Sequence, residues 1–467
     1  MSRSKLFLTL PFLAASLTGL FPAAAPAQQE MPAEMAAAAS IEIEPVLTES
    51  PEKKTEASVI APDSAAPAEP KAVPSGVVAA AEWDFLKTSA ENKDEDVLEA
   101  VLPQLSAWLK TYPDNEFADE ALLLKAQLNL KLGDYKSAIL NLVVLLQEYP
   151  GSDSSAAATT LLGITADKKL GKKEKPVLMQ IADAAGVSGR AERLAYILGE
   201  MAARFGQDFY APLTAEFAEF FGRFPGYAGR DALQLALGTL YAQKKEYVQT
   251  RLAYEKLIAV YPGSTLIAQT KKLLGDVLAD NIKDYFAAIK VYRDITDKFP
   301  GTAEAWAAYA QLPRLTEKQK QFPLAVEVYE NIIKLYPDKP EAREAFRSEA
   351  RVLREELGKP EEAIAVLNRL ADKYKDEQAV EELYLAAEIA RKDIKDLDAE
   401  IKMYDRIAAD YAPGKEAPKA LLTAGQAFEK NKNMEKAREY YEKVVKDFPG
   451  DPLAKKAQKY IDAFMKG

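Results

Sequence analysis

Residues 434–451 of this 467-residue chain read MEKAREYYEKVVKDFPGD, and the spacing of side chains inside this stretch predicts an α-helix with one packing face. Ala437 is a small residue, and the large side chain of Tyr441 follows it after four positions. Val444 and Phe448 come three and seven positions after that tyrosine. Offsets of four, three and four place all four side chains on one face of an α-helix. The next residue is a proline, which predicts the end of the helix, because the residue before a proline is disfavoured in helical geometry.

The same pattern recurs along the chain every 37 or 38 residues. Aromatic residues that mark a helix end stand at positions 112, 149, 224, 261, 299, 336, 374, 411 and 448. The interval from 149 to 224 is two periods, with one mark missing near Gly186. We predict that the recurring small and large residues pack between helices. They include Ala138, Tyr149, Tyr254, Tyr261, Ala288, Tyr292, Phe299, Ala325, Tyr329, Tyr336, Ala363, Ala437, Tyr441 and Phe448.

Each period also contains an earlier apolar helix and a polar turn. Phe117 to Leu132 is one such helix, and Gly133-Asp134-Tyr135 follows it as the turn. Each period therefore predicts a helix–turn–helix hairpin. A single hairpin cannot bury its apolar face alone, so neighbouring hairpins are expected to stack. The prediction is an all-α fold, an α-solenoid of about ten hairpins over residues 76–467. Its last helix, Pro452 to Met465, is expected to cap the stack with exposed lysines.

The hairpins resemble the tetratricopeptide repeat (TPR). The resemblance is carried by the period and by two segments, Gly133-Asp134-Tyr135-Lys136-Ser137-Ala138 and Ala303-Glu304-Ala305-Trp306. It implies a right-handed solenoid whose concave surface binds extended or helical segments of other proteins. Polar residues of the first helices are candidates for lining that surface, namely Asn115, Lys125, Gln234, Gln269, Lys271 and Gln426.

The first 75 residues have a different composition from the rest. Residues 1–27 combine a short basic start, an apolar run and a small-residue cleavage site, which predicts a secretory signal peptide. Cleavage near Ala27 and export to the periplasm are expected, without a lipid anchor, because the chain has no cysteine. Residues 28–75 are rich in alanine, proline and glutamate and predict a disordered tether. The mature chain is expected to have no transmembrane span.

The amino-acid composition lacks the residue types that most catalytic sites use. The chain has no histidine and no cysteine, so common general bases, thiolate nucleophiles and most metal sites are missing. The net charge of −10 argues against nucleic-acid binding. We therefore expect no enzyme activity, no cofactor and no metal. One local basic run is a possible docking point for an anionic partner, although it is also typical of a solvated turn. It comprises Lys168, Lys169, Lys172, Lys173 and Lys175.

These observations predict a non-catalytic protein–protein interaction scaffold in the bacterial cell envelope. The chain is similar to exported periplasmic repeat proteins of the Tol–Pal-associated type and of the outer-membrane-assembly lipoprotein type. That similarity implies a role in envelope or outer-membrane biogenesis, or in coordinating cell division. A scaffold for polysaccharide or protein export is an alternative. A self-assembling structural protein and a glycan hydrolase that uses two carboxylates are lesser alternatives.

Overall fold

The computed structural model describes residues 75–183 and 187–464, which form helices and turns without a strand. The predicted signal peptide and almost all of the predicted tether lie outside these residues, as does the position of the missing mark near Gly186. The helices in the first half of the described chain are α1 (Ser75–Ser89), α2 (Glu95–Thr111), α3 (Ala118–Lys131), α4 (Tyr135–Glu148), α5 (Asp153–Lys169), α6 (Glu174–Asp183), α7 (Arg190–Phe205), α8 (Tyr210–Arg223) and α9 (Arg230–Gln243).

The second half continues the alternation of first and second helices. Its helices are α10 (Tyr247–Val260), α11 (Ile267–Asp276), α12 (Tyr285–Lys298), α13 (Ala303–Lys318), α14 (Phe322–Leu335), α15 (Pro340–Glu355), α16 (Pro360–Tyr374), α17 (Glu377–Ile389), α18 (Leu397–Asp410), α19 (Glu416–Lys430), α20 (Met434–Asp447) and α21 (Pro452–Phe464). The predicted all-α fold of repeated hairpins with a final helix is confirmed. None of these helices is both long and apolar enough to cross a membrane.

The contacts divide the chain into two compact units, with the boundary between Lys244 and Lys245. The first unit contains α1 to α9, and the second contains α10 to α21. In the second unit each helix packs on the next one in the sequence. The prediction of one continuous solenoid over residues 76–467 stays a prediction.

The aromatic marks end the second helices, as the periodicity predicts. Tyr149, for example, caps α4, and its backbone N–H donates to the carbonyl oxygen of Leu145. Phe448 caps α20 in the same way through Val444. The small residues before these marks are completely buried, including Ala138 and Ala437. Tyr254, Tyr292, Tyr329 and Tyr441 are buried as well, whereas the aromatic residues that end the helices are half-buried.

A glycine on the first helix of some hairpins lies directly under a tyrosine of the second. A Cβ atom added to Gly425 would lie 2.5 Å from Cε1 of Tyr441, and one added to Gly275 would lie 2.6 Å from Cε1 of Tyr292. Both tyrosine hydroxyls donate to a carboxylate of the first helix. Tyr441 bonds to Glu429 over 2.7 Å. The two helices of these hairpins therefore approach each other at the glycine.

The turns after the second helices differ in backbone conformation. Gly151 and Gly301 adopt positive φ there, whereas Gly226, Gly263 and Gly450 do not. Inside the hairpins the left-handed residue is often a lysine. These lysines are Lys245, Lys283, Lys320, Lys395 and Lys432. Lys283 and Lys395 each follow a π-helical turn, Val277–Ile282 and Ala390–Ile394, which extends the preceding first helix.

Candidate binding groove of the first unit

Helix α4 is the centre of the first unit. Ten of its 14 residues are buried, because helices pack on it from several sides. The following second helix, α6, has only ten residues. Besides its neighbours α3 and α5, α4 contacts α6, α7 and α8. The part of the chain with the irregular repeat pattern, residues 152–222, therefore folds over α4, whereas in the second unit each helix packs mainly on its sequence neighbours.

A buried ion-pair network fixes this arrangement, and we call it the Glu148 junction. The side chain of Glu148 is only 2% exposed. It accepts a hydrogen bond of 2.6 Å from Nη2 of Arg190 and two hydrogen bonds, of 2.6 and 3.0 Å, from Arg223. Arg190 also pairs with Asp114 in the turn before α3, over 2.6 Å. The junction thus joins α4, α7 and α8 to the end of the first hairpin.

The charges of the junction act on the neighbouring groups. Burial raises the pKa of Tyr149 to about 12, and the negative charge of Glu148 adds to the effect. Burial alone would lower the pKa of Arg190, but its hydrogen bonds to Glu148 outweigh that effect and raise it. Tyr149 and Arg190 therefore each keep one protonation state across the physiological range.

Next to the junction lies a groove, here called the α2–α8 groove. It has two lobes of about 230 and 240 Å³. Helix α2 forms one wall, α8 forms the other, and α3 and α4 form the floor. Arg223 and Tyr149 line one lobe, and Pro103 and Ser137 line the other. The two lobes join at five residues that line both: Ser106, Lys125, Asn141, Ala215 and Glu216. An elongated shape of this kind suits a chain segment.

Two hydrogen-bond donors at the floor of the groove lack partners among the described residues. Asn141 is 6% exposed, and its side-chain nitrogen Nδ2 contacts no acceptor in the described part of the chain. Lys125 lines both lobes, and its ammonium group forms no ion pair with any described carboxylate. A buried amide donor without an acceptor costs free energy, typically about 1–3 kcal/mol. The groove therefore has one cation without an ion pair, Lys125, among lining residues that include the acids Glu216 and Glu219.

Glu216 faces the same space and titrates near neutrality. Burial raises its pKa to about 7; the charge of Lys125 opposes this rise, while Glu148 and Glu219 add to it. Around pH 7 this carboxyl group changes between a neutral form, which can donate a hydrogen bond, and an anionic form. The groove is therefore less acidic below pH 7 than above it.

The structure places the predicted site residues in different locations. The basic run lies at the turn between α5 and α6, and none of its lysines lines the α2–α8 groove. Four of them are exposed, while Lys175 pairs with Asp167 and the Lys169 ammonium lies 5.3 Å from the ring centre of Tyr135.

The residues predicted to line a concave surface lie in different environments. Lys125 does line the groove, but Gln234 is 2% exposed and is wrong as a surface residue. Asn115 lies in the turn before α3, where its side-chain oxygen accepts from the Phe117 N–H. Lys271 is engaged in an ion pair with Asp294. The other two, Gln269 and Gln426, are half-buried.

Sequence reasoning did not single out most of the residues that build the groove and the junction. Asn141 and Glu216 share one position of the repeat, and Glu148 and Arg223 share another, but the pattern does not specify which side chains stand there or which of them meet. Arg223 is 75 residues from Glu148. One usable signal was the irregular pattern of residues 152–222, which includes α5, α6, α7 and all but the last residue of α8.

Comparisons with known proteins agree with the repeat architecture. Sequence profiles described as tetratricopeptide repeat match residues 120–152, 231–264 and 419–451, and a second profile of the same description matches 314–378. The chain therefore contains tetratricopeptide repeats, and such repeats act as protein-interaction scaffolds. The first match spans α3 and α4, the floor of the groove. No curated protein sequence matches the chain.

Several solved structures are similar in fold. A tetratricopeptide repeat protein from Parabacteroides merdae is 12% identical, with 58% of this chain and 99% of that chain covered and a TM-score of 0.30. PilW, described as a type IV pilus biogenesis factor, is 17% identical, with 49% and 99% covered and a TM-score of 0.26. A structure of Naa15/Naa10 bound to HypK-THB is 12% identical, with 83% and 61% covered and a TM-score of 0.34. At these identities the likeness concerns the fold alone.

Proposed function

We propose that this protein is a non-catalytic scaffold that binds an extended segment of another protein in the α2–α8 groove. The two-lobed groove, with Lys125 among the residues that line both lobes, is the observation that carries this proposal. An extended peptide offers unpaired backbone carbonyl groups. The Lys125 ammonium group could donate a charge-assisted hydrogen bond to such a carbonyl or to a carboxylate of the segment.

We further propose that the scaffold acts in the cell envelope after export. The support is the sequence of residues 1–27, with its basic start, apolar run and cleavage site. Within the envelope, biogenesis of the outer membrane and Tol–Pal-type coordination of division are the roles we favour, and polysaccharide or protein export is the alternative. Osmotic-shock fractionation and N-terminal sequencing test the location. A mature protein that starts at Gln28 is expected, and an uncleaved cytoplasmic protein would contradict the proposal.

Site-specific photo-crosslinking in the native host tests the groove. A photoreactive amino acid at Lys110, which is exposed at the edge of one lobe, should form adducts with another protein. The matched control is the same amino acid at Thr159, an exposed residue of α5 that does not line the groove. An adduct seen at Lys110 and absent at Thr159 would support the proposal. Equal adducts at both positions, or none with a folded protein, would reject it.

A further inference from the structure

We propose that the turn between α5 and α6 binds the surface of an anionic lipid bilayer. The surface concerned, here called the basic patch, also includes the end of α5 and the start of α4. None of its residues lines the α2–α8 groove, so the inference goes beyond the proposed function and does not depend on it. The members of the basic patch are Lys136, Ile164, Lys168, Lys169, Lys172 and Lys173.

The fold brings Lys136, in the first turn of α4, to the lysines that end α5. The ring of Tyr135 joins them, because the ammonium groups of Lys136 and Lys169 lie 5.9 and 5.3 Å from its centre. A cation–π contact of this kind positions an ammonium group without neutralising its charge. The basic patch therefore combines two segments that are distant in the sequence, and it is larger than the run of lysines that the sequence shows.

The acidic side chains of this region are engaged within the turns. Oε2 of Glu174 accepts a hydrogen bond of 2.8 Å from the N–H of Gly171, which closes the turn between α5 and α6. Asp134 caps the start of α4, and Asp167 pairs with Lys175. The five lysines of the basic patch form no ion pair with a carboxylate in the described part of the chain. Their charge is therefore available to a partner, although the net charge of the whole chain is −10.

The chemistry of the patch favours a bilayer over a dissolved acidic peptide. Single carboxylates and phosphates are matched by the planar fork of arginine, whereas every cation of the patch is a lysine, which acts as a point charge. Lysines on an open surface suit the diffuse negative charge of anionic headgroups. Ile164 is 47% exposed and lies one turn before Lys168 on the same face of α5. Its apolar side chain can enter the boundary between headgroups and acyl chains.

The expected strength of the interaction follows from the number of lysines. Each lysine close to an anionic membrane surface strengthens binding roughly fivefold, so three of them account for a factor of about a hundred. The attraction decays over about 10 Å at 0.1 M salt. Binding to the bilayer should therefore be strong enough to measure at low salt and should weaken as salt is added.

Sedimentation with lipid vesicles tests the inference on the purified full chain. The probe vesicles contain equal parts of phosphatidylglycerol and phosphatidylcholine, and vesicles of phosphatidylcholine alone report any binding that needs no anionic lipid. The test variant combines Lys168→Gln, Lys172→Gln and Lys173→Gln, because these three lysines are exposed and have no ion pair or ring contact in the described ranges. The matched control loses the same charge at three exposed lysines of the second unit, namely Lys290→Gln, Lys334→Gln and Lys402→Gln.

The unmodified chain should prefer the anionic vesicles, and added sodium chloride should release it. The test variant should bind them about a hundredfold more weakly, whereas the control should bind almost as tightly as the unmodified chain. An equal loss in both variants would assign the binding to net charge alone and would overturn the inference. The absence of any preference for anionic vesicles would overturn it as well.

Ile164→Ser distinguishes a bilayer from a polyanion in solution. The change removes the apolar side chain and leaves every charge in place, so binding to the anionic vesicles should weaken roughly fivefold. Binding to polyglutamate in solution should be weaker than binding to the vesicles. Tighter binding to polyglutamate, unaffected by Ile164→Ser, would assign the patch to an acidic polypeptide and would overturn the inference. Neither result bears on the groove, which the photo-crosslink at Lys110 tests separately.

Discussion

At the scale of single residues, the close packing of two helices in a hairpin depends on glycines that lie beneath tyrosine rings. Gly425 and Gly275 lie under tyrosine rings, so hydrogen replaces a methyl group at the point of closest approach. The tyrosine ring fills the space and its hydroxyl finds a carboxylate on the first helix, as between Tyr292 and Asp276 over 2.7 Å. Burial raises the pKa of Tyr292, and the nearby Asp276 carboxylate raises it further. These tyrosines are packing residues with satisfied hydroxyl groups.

Gly425→Ala should therefore destabilise the protein. Its new Cβ would overlap the Tyr441 ring, and overpacking of a dense core costs about 1–3 kcal/mol. The alanine regains up to about 1 kcal/mol of helix propensity, so a net loss of about 1–2 kcal/mol is expected in urea unfolding. Gly163→Ala in α5 is the control, because a Cβ there meets nothing within 4 Å. It should gain stability, and a loss equal to that of Gly425→Ala would contradict the packing argument.

Glu349 should make stability depend on pH. The residue is 1% exposed, and burial raises its pKa to about 7, against the opposing charge of Arg369. Between pH 4.5 and 7 the folded chain keeps a proton that the unfolded chain has lost, so the free energy of unfolding falls as pH rises. Glu349→Gln keeps the neutral form and should gain about 1–3 kcal/mol at pH 8 relative to its effect at pH 4.5.

Urea unfolding of both proteins at several pH values measures this difference. Glu442→Gln is the exposed control, because Glu442 and its partner Arg438 are both about half exposed. The free energy of unfolding of the control should depend on pH in the same way as that of the unmodified protein. If the free energy of unfolding of Glu349→Gln shows the same pH dependence too, the buried carboxyl group does not titrate in this range.

At the scale of elements, the hairpin turns are the least regular part of the repeat. A lysine with positive φ stands where glycine would be less strained, as at Lys320 with φ of 55°. For a residue with a side chain, this conformation costs roughly 1–2 kcal/mol. The π-helical turns before Lys283 and Lys395 extend a first helix, but they do not set the period. The interval from 374 to 411 is 37 residues and contains one, whereas the interval from 336 to 374 is 38 residues without one.

Lys320→Gly should stabilise the protein by about 0.5–1 kcal/mol. The relief of backbone strain exceeds the entropy that glycine adds to the unfolded chain. The converse change, Gly301→Ala at φ of 80°, should destabilise it by about 1 kcal/mol, since nothing but backbone conformation opposes a side chain there. Urea unfolding measures both variants, and a shift of the same sign in both would refute the assignment of left-handed strain.

At the scale of the whole molecule, the chain combines a regular unit with an irregular one. The second unit follows the order of the sequence, helix on successive helix. The first unit folds α7 and α8 back on α4, and the Glu148 junction and the α2–α8 groove result from this arrangement. One wall of the candidate binding site, α8, thus comes from the part of the chain where the repeat pattern is weakest.

Glu148→Gln should loosen the first unit. It leaves Arg190 and Arg223 without their buried counter-charge, and removal of one partner from a buried ion pair costs about 3–5 kcal/mol. Hydrogen–deuterium exchange should increase in α4, α7 and α8. Arg438→Gln removes an exposed pair and should change stability by at most about 1 kcal/mol. Unchanged exchange in those three helices would mean that the junction does not hold them together.

Much of this fold could be predicted from the sequence because the signals are local. The offsets that place Ala437, Tyr441 and Phe448 on one face act within one helix, so the periodic pattern is sufficient to predict the hairpins and where their second helices end. The left-handed lysines were missed, because a polar turn does not specify the sign of φ. The role of Gly425 beneath Tyr441 was only partly visible, since spacing marks a small residue but does not identify the ring above it.

The series of helical hairpins follows from the sequence, because helix periodicity is a property of residues close together in the chain. The folding of residues 152–222 over α4 is visible only in the three-dimensional structure. That arrangement brings Arg223 to Glu148 from 75 positions away and places Asn141 on the floor of a groove. Glu148 and Arg223 hold the same position of the repeat two periods apart, but the pattern does not specify that they meet, because their contact follows from which buried surfaces fit together.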